Sequence, residues 1–119
     1  MSENLAKLYP IERKYRRFEL QLPVRLSFPS GRHLRKLRTI SKNVSVGGLL
    51  LKVNDPVPLH AHVSLTIDVR TPGARRVVHL VSEGEVIRVE PGGPDGGFEI
   101  AIECQRPIKE IEEKLSAAS

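Results

Sequence analysis

The sequence predicts an all-β domain, a small six-stranded antiparallel β-barrel followed by one C-terminal α-helix. Three observations predict this fold. Residues 18–28, 63–69 and 98–104 carry apolar residues at every second position, which is the period of a strand with one buried face, and three less regular segments also suit strands. Clusters of Gly, Pro, Asn and Asp separate these segments at short intervals, as in small barrels. Only after Arg106 does the apolar spacing become helical, at Ile108, Ile111 and Leu115.

The six predicted strands follow one another with short turns between them. The first runs from Phe18 to Phe28, and because Pro23 lies on its polar face and lacks a backbone donor, we expect an edge or a bulge near that residue. The remaining five are predicted at about residues 34–44, 49–53, 63–69, 76–90 and 98–104. The apolar parity of the fifth strand changes near residues 82–84, which indicates a bulge or a bend. The Gly- and Pro-rich residues 91–97 form the predicted hairpin loop before the last strand.

The chain length of 119 residues suits one domain. We expect residues 1–10 to be a flexible tail, residues 11–115 to form the domain, and the C-terminal helix to begin at about residue 107. No apolar run approaches the roughly 18 residues that a membrane-spanning helix needs, and the N-terminus has no secretion signal. The single cysteine, Cys104, has no partner for an internal disulfide. These features predict a cytoplasmic protein.

The net charge of +5 is unevenly distributed along the chain. Residues 1–42 hold eleven Lys and Arg against three Glu, a net charge of +8, whereas the remaining residues carry −3. Such asymmetry points to an anionic partner on the N-terminal third, either a nucleic acid, an acidic protein surface or a phosphorylated small molecule. A basic surface that binds nothing has the same pattern and stays an alternative.

The sequence patterns of common enzymes and metal sites are missing from the chain. His60 and His62 lack a third ligand at a recognisable spacing, so we expect no metal site. Ser45 has Asn43 rather than glycine two residues before it, and so does not fit the G-x-S-x-G pattern of serine hydrolases. The glycine-rich residues 92–97 lack the G-K-S/T ending of a phosphate-binding loop. We therefore predict that the protein is not an enzyme and uses no cofactor.

Two short polar motifs carry the functional signal. Arg13 and Arg17 form R-x-x-x-R just before the first predicted strand. Asn43, Ser45 and Gly48 form N-x-S-x-x-G just before the third. In an arginine-rich chain the first motif is expected about once by chance, whereas the second is expected roughly 0.03 times and is the more informative. The spacing of Asn43 and Ser45 also places both side chains on one face of a strand.

Together the two motifs resemble those of the PilZ domain family, whose members bind the bacterial second messenger cyclic di-GMP. The stretches L-P-V-R-L at residues 22–26 and S-V-G-G-L-L-L at residues 45–51 are also similar to family sequence. The resemblance covers about residues 11–115 and implies a six-stranded PilZ-like antiparallel β-barrel with a C-terminal helix, in agreement with the periodicity. It further implies a cyclic di-GMP receptor that signals through ligand-dependent contacts with an effector protein.

The resemblance also implies which residues bind the ligand. These are Arg13, Arg17, Asn43, Ser45 and Gly48, with Arg16 and Gly47 as further candidates. An arginine guanidinium pairs bidentately with phosphate or with guanine O6 and N7, and it also stacks on aromatic planes. The Asn43 amide can accept a hydrogen bond from guanine N1–H or N2–H, and the Ser45 hydroxyl can donate one to a phosphate or base oxygen. Gly48 has no Cβ, which permits a positive φ and a close approach of the backbone to the ligand.

Two other functions stay open from the sequence. The first is a small basic barrel that binds DNA or RNA through Arg32, Arg35, Lys36 and Arg38. Against it, the chain has only two Tyr, three Phe and no Trp with which to stack bases. The second is a PilZ-like adapter that contacts other proteins without binding the dinucleotide.

Overall fold

Antiparallel β-strands make up most of the described part of the chain. A computed structural model describes residues 17–70, 73 and 76–108. The strands in these residues are β1 (Arg17–Phe18), β2 (Pro23–Ser30), β3 (His33–Ser45), β4 (Gly48–Val53), β5 (His62–Val69), β6 (Val78–Pro91) and β7 (Phe98–Cys104). Strands β2 to β7 lie where the alternating pattern predicts them.

Six of the strands close into a barrel. Their order around it is β3-β2-β5-β6-β7-β4, and β4 pairs back with β3. All of these pairs are antiparallel. The short β1 lies outside the ring and pairs with the end of β3, where Arg17 is opposite Ser45 and Phe18 is opposite Val44. The predicted six-stranded antiparallel barrel is therefore confirmed.

Alternate side chains of the strands fill the interior of the barrel. The buried hydrophobic residues are Phe18, Val24, Leu26, Phe28, Val44, Val46, Leu49, Leu51, Val53, Val57, Val63, Leu65, Ile67, Val69, Leu80, Val86, Ile100, Ile102, Cys104 and Ile108. They point inward because a period of two puts every second side chain of a strand on the same side. Polar side chains are consequently directed to the outer surface, where a ligand can reach them.

The first predicted strand is interrupted, whereas the sequence pattern led us to expect a continuous strand from Phe18 to Phe28. Residues 19–22 leave the ladder because four residues here stand opposite only three in β3, residues 41–43. Regular pairing resumes at Pro23, the first residue of β2. Proline is tolerated at the first position of a strand, where its missing N–H interrupts no ladder. The irregularity expected near Pro23 is present, but the prediction of one continuous strand from Phe18 to Phe28 is wrong.

The side chain of Ser41 fills this gap in the ladder. Its Oγ accepts a hydrogen bond from the Leu22 N–H at 2.9 Å and donates one to the Leu20 carbonyl at 2.6 Å. The Ser41 N–H also donates to the Leu22 carbonyl at 2.9 Å. A buried serine thus supplies the hydrogen bonds that main-chain groups would otherwise exchange.

Strands β3 and β6 each contain a one-residue bulge. In β3 the extra residue is Lys42, at a shift in register against β4. In β6 it is Ile87, at a shift in register against β7. An added residue breaks the alternation, so two consecutive side chains are directed outward at each bulge, Lys42 with Asn43 and Ile87 with Arg88.

The bend predicted near residues 82–84 is found at Gly84 of β6. This strand pairs with β5 as far as Glu85 and with β7 from Gly84 onward, so it passes here from one wall of the barrel to the next. A Cβ on Gly84 would lie 2.6 Å from the Glu103 carbonyl oxygen, which is too close for any residue but glycine. The bulge itself lies further along the strand, at Ile87.

The two ends of the chain carry predictions that fall outside the described residues. These are the flexible tail at residues 1–10 and the C-terminal helix beyond residue 108. The last described residue, Ile108, is buried, and its N–H donates to the Val46 carbonyl at 2.8 Å. The chain after β7 therefore folds back onto the turn between β3 and β4. The part of the chain that the structure describes holds no helix of the length and hydropathy needed to cross a membrane.

Candidate functional site

Residues from five strands form two adjacent rows on the outer surface of the barrel. The first row consists of Asn43 on β3, Leu50 on β4, Ala101 on β7 and Arg88 on β6. The second consists of Arg17 on β1, Ser45 on β3, Gly48 on β4, Glu103 on β7 and Glu85 on β6. Neighbouring strands lie about 4.8 Å apart, so four strands span about 14 Å.

A depression with a volume of about 290 Å³ lies over these rows. Leu50 and Ala101 occupy the centre of the first row, so the middle of the depression is apolar and the polar side chains lie toward its ends. Five of the residues predicted from the sequence line it, namely Arg17, Asn43, Ser45, Gly47 and Gly48. The barrel therefore brings the second arginine of the first motif together with the whole of the second motif.

The two bulges determine which side chains form the ends of the first row. If Lys42 were a regular strand residue instead of a bulge, the alternation of β3 from the inward Ser41 would direct Asn43 into the core and Val44 outward. The bulge at Ile87 likewise lets β6 present both Ile87 and Arg88 on the outer surface. Consequently, an amide and a guanidinium group lie at opposite ends of the same row.

Asn43 and Ser45 share the outer face of β3, and both are partly exposed. The Ser45 hydroxyl donates to the Gly48 carbonyl at 3.3 Å, across the turn between β3 and β4. Its oxygen lone pairs can still accept a hydrogen bond. The Asn43 amide makes no hydrogen bond to any described residue, so its donor and acceptor groups both face the solvent of the depression.

Gly48 has a different role from the one we expected. Its φ does not lie in the positive region. A Cβ there would lie 2.2 Å from the Ile102 carbonyl oxygen of β7, so the missing side chain allows β4 and β7 to pair closely. The expectation of a positive φ is wrong because Gly48 begins strand β4 instead of lying within the turn.

The remaining candidates from the arginine motif are Arg13 and Arg16, and both lie outside the described residues. Arg17 is described, lies opposite Ser45 in the short pairing of β1 with β3, and lines the depression. Among the described residues, Arg17 is therefore the cation of the first motif that lies beside the second motif.

Seven residues that line the depression were not predicted from the sequence: Leu49, Leu50, Ile87, Arg88, Ala101, Ile102 and Glu103. A signal for Arg88 was available in the hairpin loop of residues 92–97. This loop joins the pair Pro91 and Phe98, and counting back along both strands sets Arg88 opposite Ala101. Its proximity to the second motif, however, depends on the pairing of β4 with β7, and no local sequence pattern indicates that pairing.

The positive charges of the depression lie at opposite corners. Arg17 ends one row and Arg88 ends the other. Arg88 Nε is 3.2 Å from Glu90 Oε1, and an exposed ion pair of this kind contributes little free energy. Just outside, Lys42 Nζ lies 2.5 Å from Glu99 Oε1, and this hydrogen bond holds the pKa of Glu99 below its ordinary value. The two arginines therefore supply most of the positive potential over the rows.

Metal-binding and nucleophilic groups are not gathered at this site. The described residues contain no group of three or more His, Cys, Asp or Glu side chains that could hold a metal ion. Cys104 points into the core, and burial raises the pKa of its thiol, which disfavours the reactive thiolate. His60 Nδ1 instead lies 2.8 Å from Glu85 Oε2. The chemistry that the depression offers is hydrogen bonding, charge pairing and contact with an apolar centre.

Similarity to known proteins assigns the chain to a family. The sequence model of the PilZ domain matches residues 11–118, which include both motifs and all the described strands. The chain belongs to the PilZ domain family. This confirms the family that the two motifs indicated. No curated protein matches this PilZ chain in sequence.

Solved structures with the same fold include three that match this PilZ chain. The inhibitor of motility MotI/DgrA of Bacillus subtilis has a TM-score of 0.66 and 18% sequence identity, over 89% of this chain and 47% of its own, so the present chain spans about half its length. The PilZ domain of YcgR from Escherichia coli, solved with cyclic di-GMP, has a TM-score of 0.60 and 14% identity, over 88% of this chain and 90% of its own. The PilZ domain of CeSA from a cellulose-synthesizing bacterium has a TM-score of 0.54 and 20% identity, over 85% of this chain and 96% of its own. At these identities the likeness shows the fold.

Proposed function

We propose that this PilZ chain binds cyclic di-GMP in the depression over the two rows and passes its bound state to an effector protein. The observation that carries the proposal is the meeting of Arg17 with Asn43 and Ser45 in one depression on the outer surface. Arg13 and Arg16, from the same motif as Arg17, complete the proposed ligand-binding set together with Gly47 of the β3–β4 turn and Gly48 at the start of β4.

The groups in the depression are complementary to the parts of the ligand. Cyclic di-GMP is a compact dianion with two guanine rings. The apolar centre at Leu50 and Ala101 can receive the plane of one guanine, and the Asn43 amide can accept from N1–H or N2–H at its edge. Arg17 and Arg88 approach from opposite corners, where each can pair with a phosphate or stack on the second guanine. Glycine at the turn keeps the approach to these groups open.

Membership of the PilZ family supports the proposal. The YcgR domain has the same fold and has been solved with cyclic di-GMP. The motifs of the present chain are those by which the sequence resembles the family, and residues from both line the depression. Cyclic di-GMP is therefore the first ligand to test.

Calorimetric titration with cyclic di-GMP tests this function. We expect saturable binding, in preference to GTP, GMP and cyclic di-AMP. Arg13→Ala and Arg17→Ala should each weaken binding by about 1.5–3 kcal/mol, the range for a hydrogen bond to a charged group, and Ser45→Ala by less. Arg38→Ala removes the same charge from β3 outside the depression and is the matched control, with binding expected to be unchanged. Gly48 is unsuitable for this test because a side chain there would separate β4 from β7.

Two substitutions of Asn43 test which part of the ligand lies beside it. If the amide accepts from a guanine edge, Asn43→Ala should weaken binding and Asn43→Asp should retain or strengthen it, because a charged acceptor makes a stronger hydrogen bond. Weaker binding by Asn43→Asp than by Asn43→Ala would instead place a phosphate beside this residue. No heat and no chemical-shift change at high ligand concentration would overturn the proposal and favour an adapter that does not bind the dinucleotide.

Binding of DNA or RNA through Arg32, Arg35, Lys36 and Arg38 has no comparable support. These residues lie on the β2–β3 hairpin, away from the depression. Arg35 is already in an ion pair with Asp55, with 3.0 Å between Nη2 and Oδ2. The described surface of the hairpin carries no exposed Phe, Tyr or Trp side chain on which bases would stack.

A further inference from the structure

Among the described strands, one stretch of β3 has a partner on only one side. Residues 33–39 pair with β2, but the pairing of β3 with β4 begins only at Ile40, opposite Lys52. No other described strand pairs with this edge. β2 in turn pairs with β5 only through residues 24–27, so the β2–β3 hairpin extends past the barrel wall. We call residues 33–39, on the side away from β2, the open edge of β3.

The open edge presents main-chain donors and acceptors. A two-residue turn sets its flanking residues, Ser30 and His33, in a hydrogen-bonded pair, and such pairs alternate along an antiparallel ladder. The N–H and C=O groups of His33 therefore point toward β2, and those of Leu34, Lys36 and Arg38 point away from it. Three alternate residues thus offer the backbone groups with which another strand would pair.

The outward side chains of this stretch are two basic residues flanked by two apolar ones. Leu34 and Ile40 are 58% and 54% exposed, and Lys36 and Arg38 lie between them on the same face. A strand added at the open edge would place its own outward side chains beside these four, at the distance of a cross-strand pair. The pattern suits a segment with carboxylates at alternate positions.

A groove of about 670 Å³ lies beside the last part of the open edge, residues 37–39. It lies between residues 37–42 of β3 and two loops, at residues 54–55 and 95–96. One loop already places a carboxylate there, because Asp55 forms its ion pair with Arg35 at 3.0 Å. The groove therefore leaves room for a chain segment at this end of the edge, and Asp55 shows a carboxylate of the protein itself paired with a basic side chain of β3.

We propose that the open edge of β3 binds an extended acidic segment of the effector protein, which joins the barrel as an added strand. The backbone groups of the edge form the ladder and give affinity, and Lys36 and Arg38 select carboxylates at alternate positions of the segment. The inference rests on the adapter role proposed above and names the chemistry of its partner.

Two other occupants fit the open edge less well. A second copy of this chain would bring the basic side chains of one edge against those of the other, and the like charges would repel. A nucleic acid would satisfy the cations, but phosphate oxygens only accept hydrogen bonds and would leave the carbonyl groups of the edge unpaired. An acidic peptide strand complements both the charges and the alternating backbone groups.

The test uses the full chain and a labelled synthetic ten-residue peptide of alternating Glu and Val. Fluorescence anisotropy measures its binding, and amide hydrogen exchange followed by NMR locates it. We expect slower exchange at Leu34, Lys36 and Arg38 and binding at least about tenfold tighter than that of a Lys–Val peptide of the same length. A Glu–Val peptide with a central proline keeps the charge but loses a ladder donor, and it should bind more weakly.

Two protein variants separate the backbone contribution from the charge contribution. Lys36→Pro removes an N–H that points to the open edge and leaves the pairing with β2 intact, so it should abolish the protection of the edge. Lys36→Ala is its matched control, which removes the charge alone and should bind with an affinity between that of Lys36→Pro and wild type. Equal affinity for the acidic and basic peptides, or unchanged exchange at the edge with millimolar acidic peptide, would overturn the inference.

The remaining outcomes decide between the other occupants. Tighter binding of a ten-nucleotide single-stranded DNA than of the acidic peptide, unaffected by Lys36→Pro, would assign the surface to nucleic acid instead. Concentration-dependent dimerisation lost in Lys36→Pro would assign it to a second copy. Arg17→Ala should leave peptide binding unchanged, and Lys36→Pro should leave cyclic di-GMP binding unchanged, so each proposal can fail without the other.

Discussion

Among the described residues, Ser41 is the one polar side chain that is buried, and it stands in for main-chain hydrogen bonds. The four residues between β1 and β2 cannot all pair with the three residues opposite them. The hydroxyl of Ser41 is both a donor and an acceptor, so it serves the Leu20 carbonyl and the Leu22 N–H at once. Its burial is therefore explained by the backbone around it and requires no ligand.

Replacing Ser41 with alanine is expected to destabilise the fold. The free energy of unfolding should fall by about 2–4 kcal/mol, because Leu22 N–H and the Leu20 carbonyl each lose a partner in a partly buried place. Ser64→Ala, at an exposed position of β5, is the control and should change stability by less than about 0.5 kcal/mol. Urea denaturation measures both variants. Equal stabilities would mean that water replaces the hydroxyl.

At the scale of single strands, the two bulges relate the fold to the candidate site. Each adds one residue to a strand that crosses the depression, and each is followed by a polar residue of the first row, Asn43 or Arg88. A regular strand alternates strictly, so it could not bury Ser41 and Val86 while presenting Asn43 and Arg88, each two positions further on, at the outer surface. The bulges allow each strand to bury one residue and to expose the residue two positions further on.

Deleting Lys42 is expected to remove the bulge and keep the facing of the residues after it. Asn43 would then follow the inward Ser41 directly, so Asn43 and Ser45 stay on the outer surface and Val44 stays in the core. We therefore expect the deletion variant to fold and to lose less than about 3 kcal/mol of unfolding free energy. Lys42→Ala keeps the bulge and removes only the exposed ion pair with Glu99, which should cost about 0–1 kcal/mol. Urea denaturation measures both variants, and a deletion variant that does not fold would contradict this account.

The sequence predicts the strands and their buried faces well because alternation is a local property. The strongest cases are β5 and β7, whose inward residues alternate without a break. The bulge at Lys42 has no such signal, because Lys42 and Asn43 are both polar and either could face outward. The break after Phe18 is also hidden, since Leu20 and Leu22 continue the apolar pattern although their backbone leaves the ladder.

The candidate site could be predicted only in part, for a related reason. The second motif is local, so the common outer face of Asn43 and Ser45 follows from their spacing. The other half of the depression comes from β6 and β7, which reach the motif only through the pairing of β4 with β7. That pairing joins residues about fifty positions apart in the chain, and no periodicity in either segment specifies it.

At the scale of the whole barrel, a polar triad lies on the wall opposite the depression and links three strands. His79 on β6 and Arg25 on β2 both contact Asp68 on β5, at 2.6 Å and 3.1 Å from its Oδ1. Burial by itself would raise the pKa of Asp68, but the hydrogen bonds from His79 and Arg25 outweigh it and hold the pKa below its ordinary value. The ionised carboxylate is therefore favoured in the folded state.

This triad should make the barrel sensitive to acid. A carboxyl whose pKa is lower in the folded than in the unfolded chain stabilises the fold at neutral pH, and that contribution disappears as the pH falls from about 4 through the folded value. The unfolding free energy of wild type should thus fall more steeply below about pH 4 than that of Asp68→Asn. Asp95→Asn, in an exposed loop, is the control and should keep the wild-type slope. Identical slopes for wild type and Asp68→Asn would contradict the role of the triad.

The closure of the barrel has a consequence for the order in which the chain assembles. Strands β2-β3-β4 and β5-β6-β7 are two meanders of neighbouring strands, and only β2–β5 and β4–β7 form seams between them. Within a meander, paired strands are consecutive in the chain and are joined by short loops. The seams require segments that are distant in the chain to meet, so they are expected to form later. The two rows cross the β4–β7 seam, so the depression exists only after both meanders have docked. A ligand held across that seam would connect the two halves, and it would stabilise the finished barrel by an amount that grows with the ratio of its concentration to its Kd.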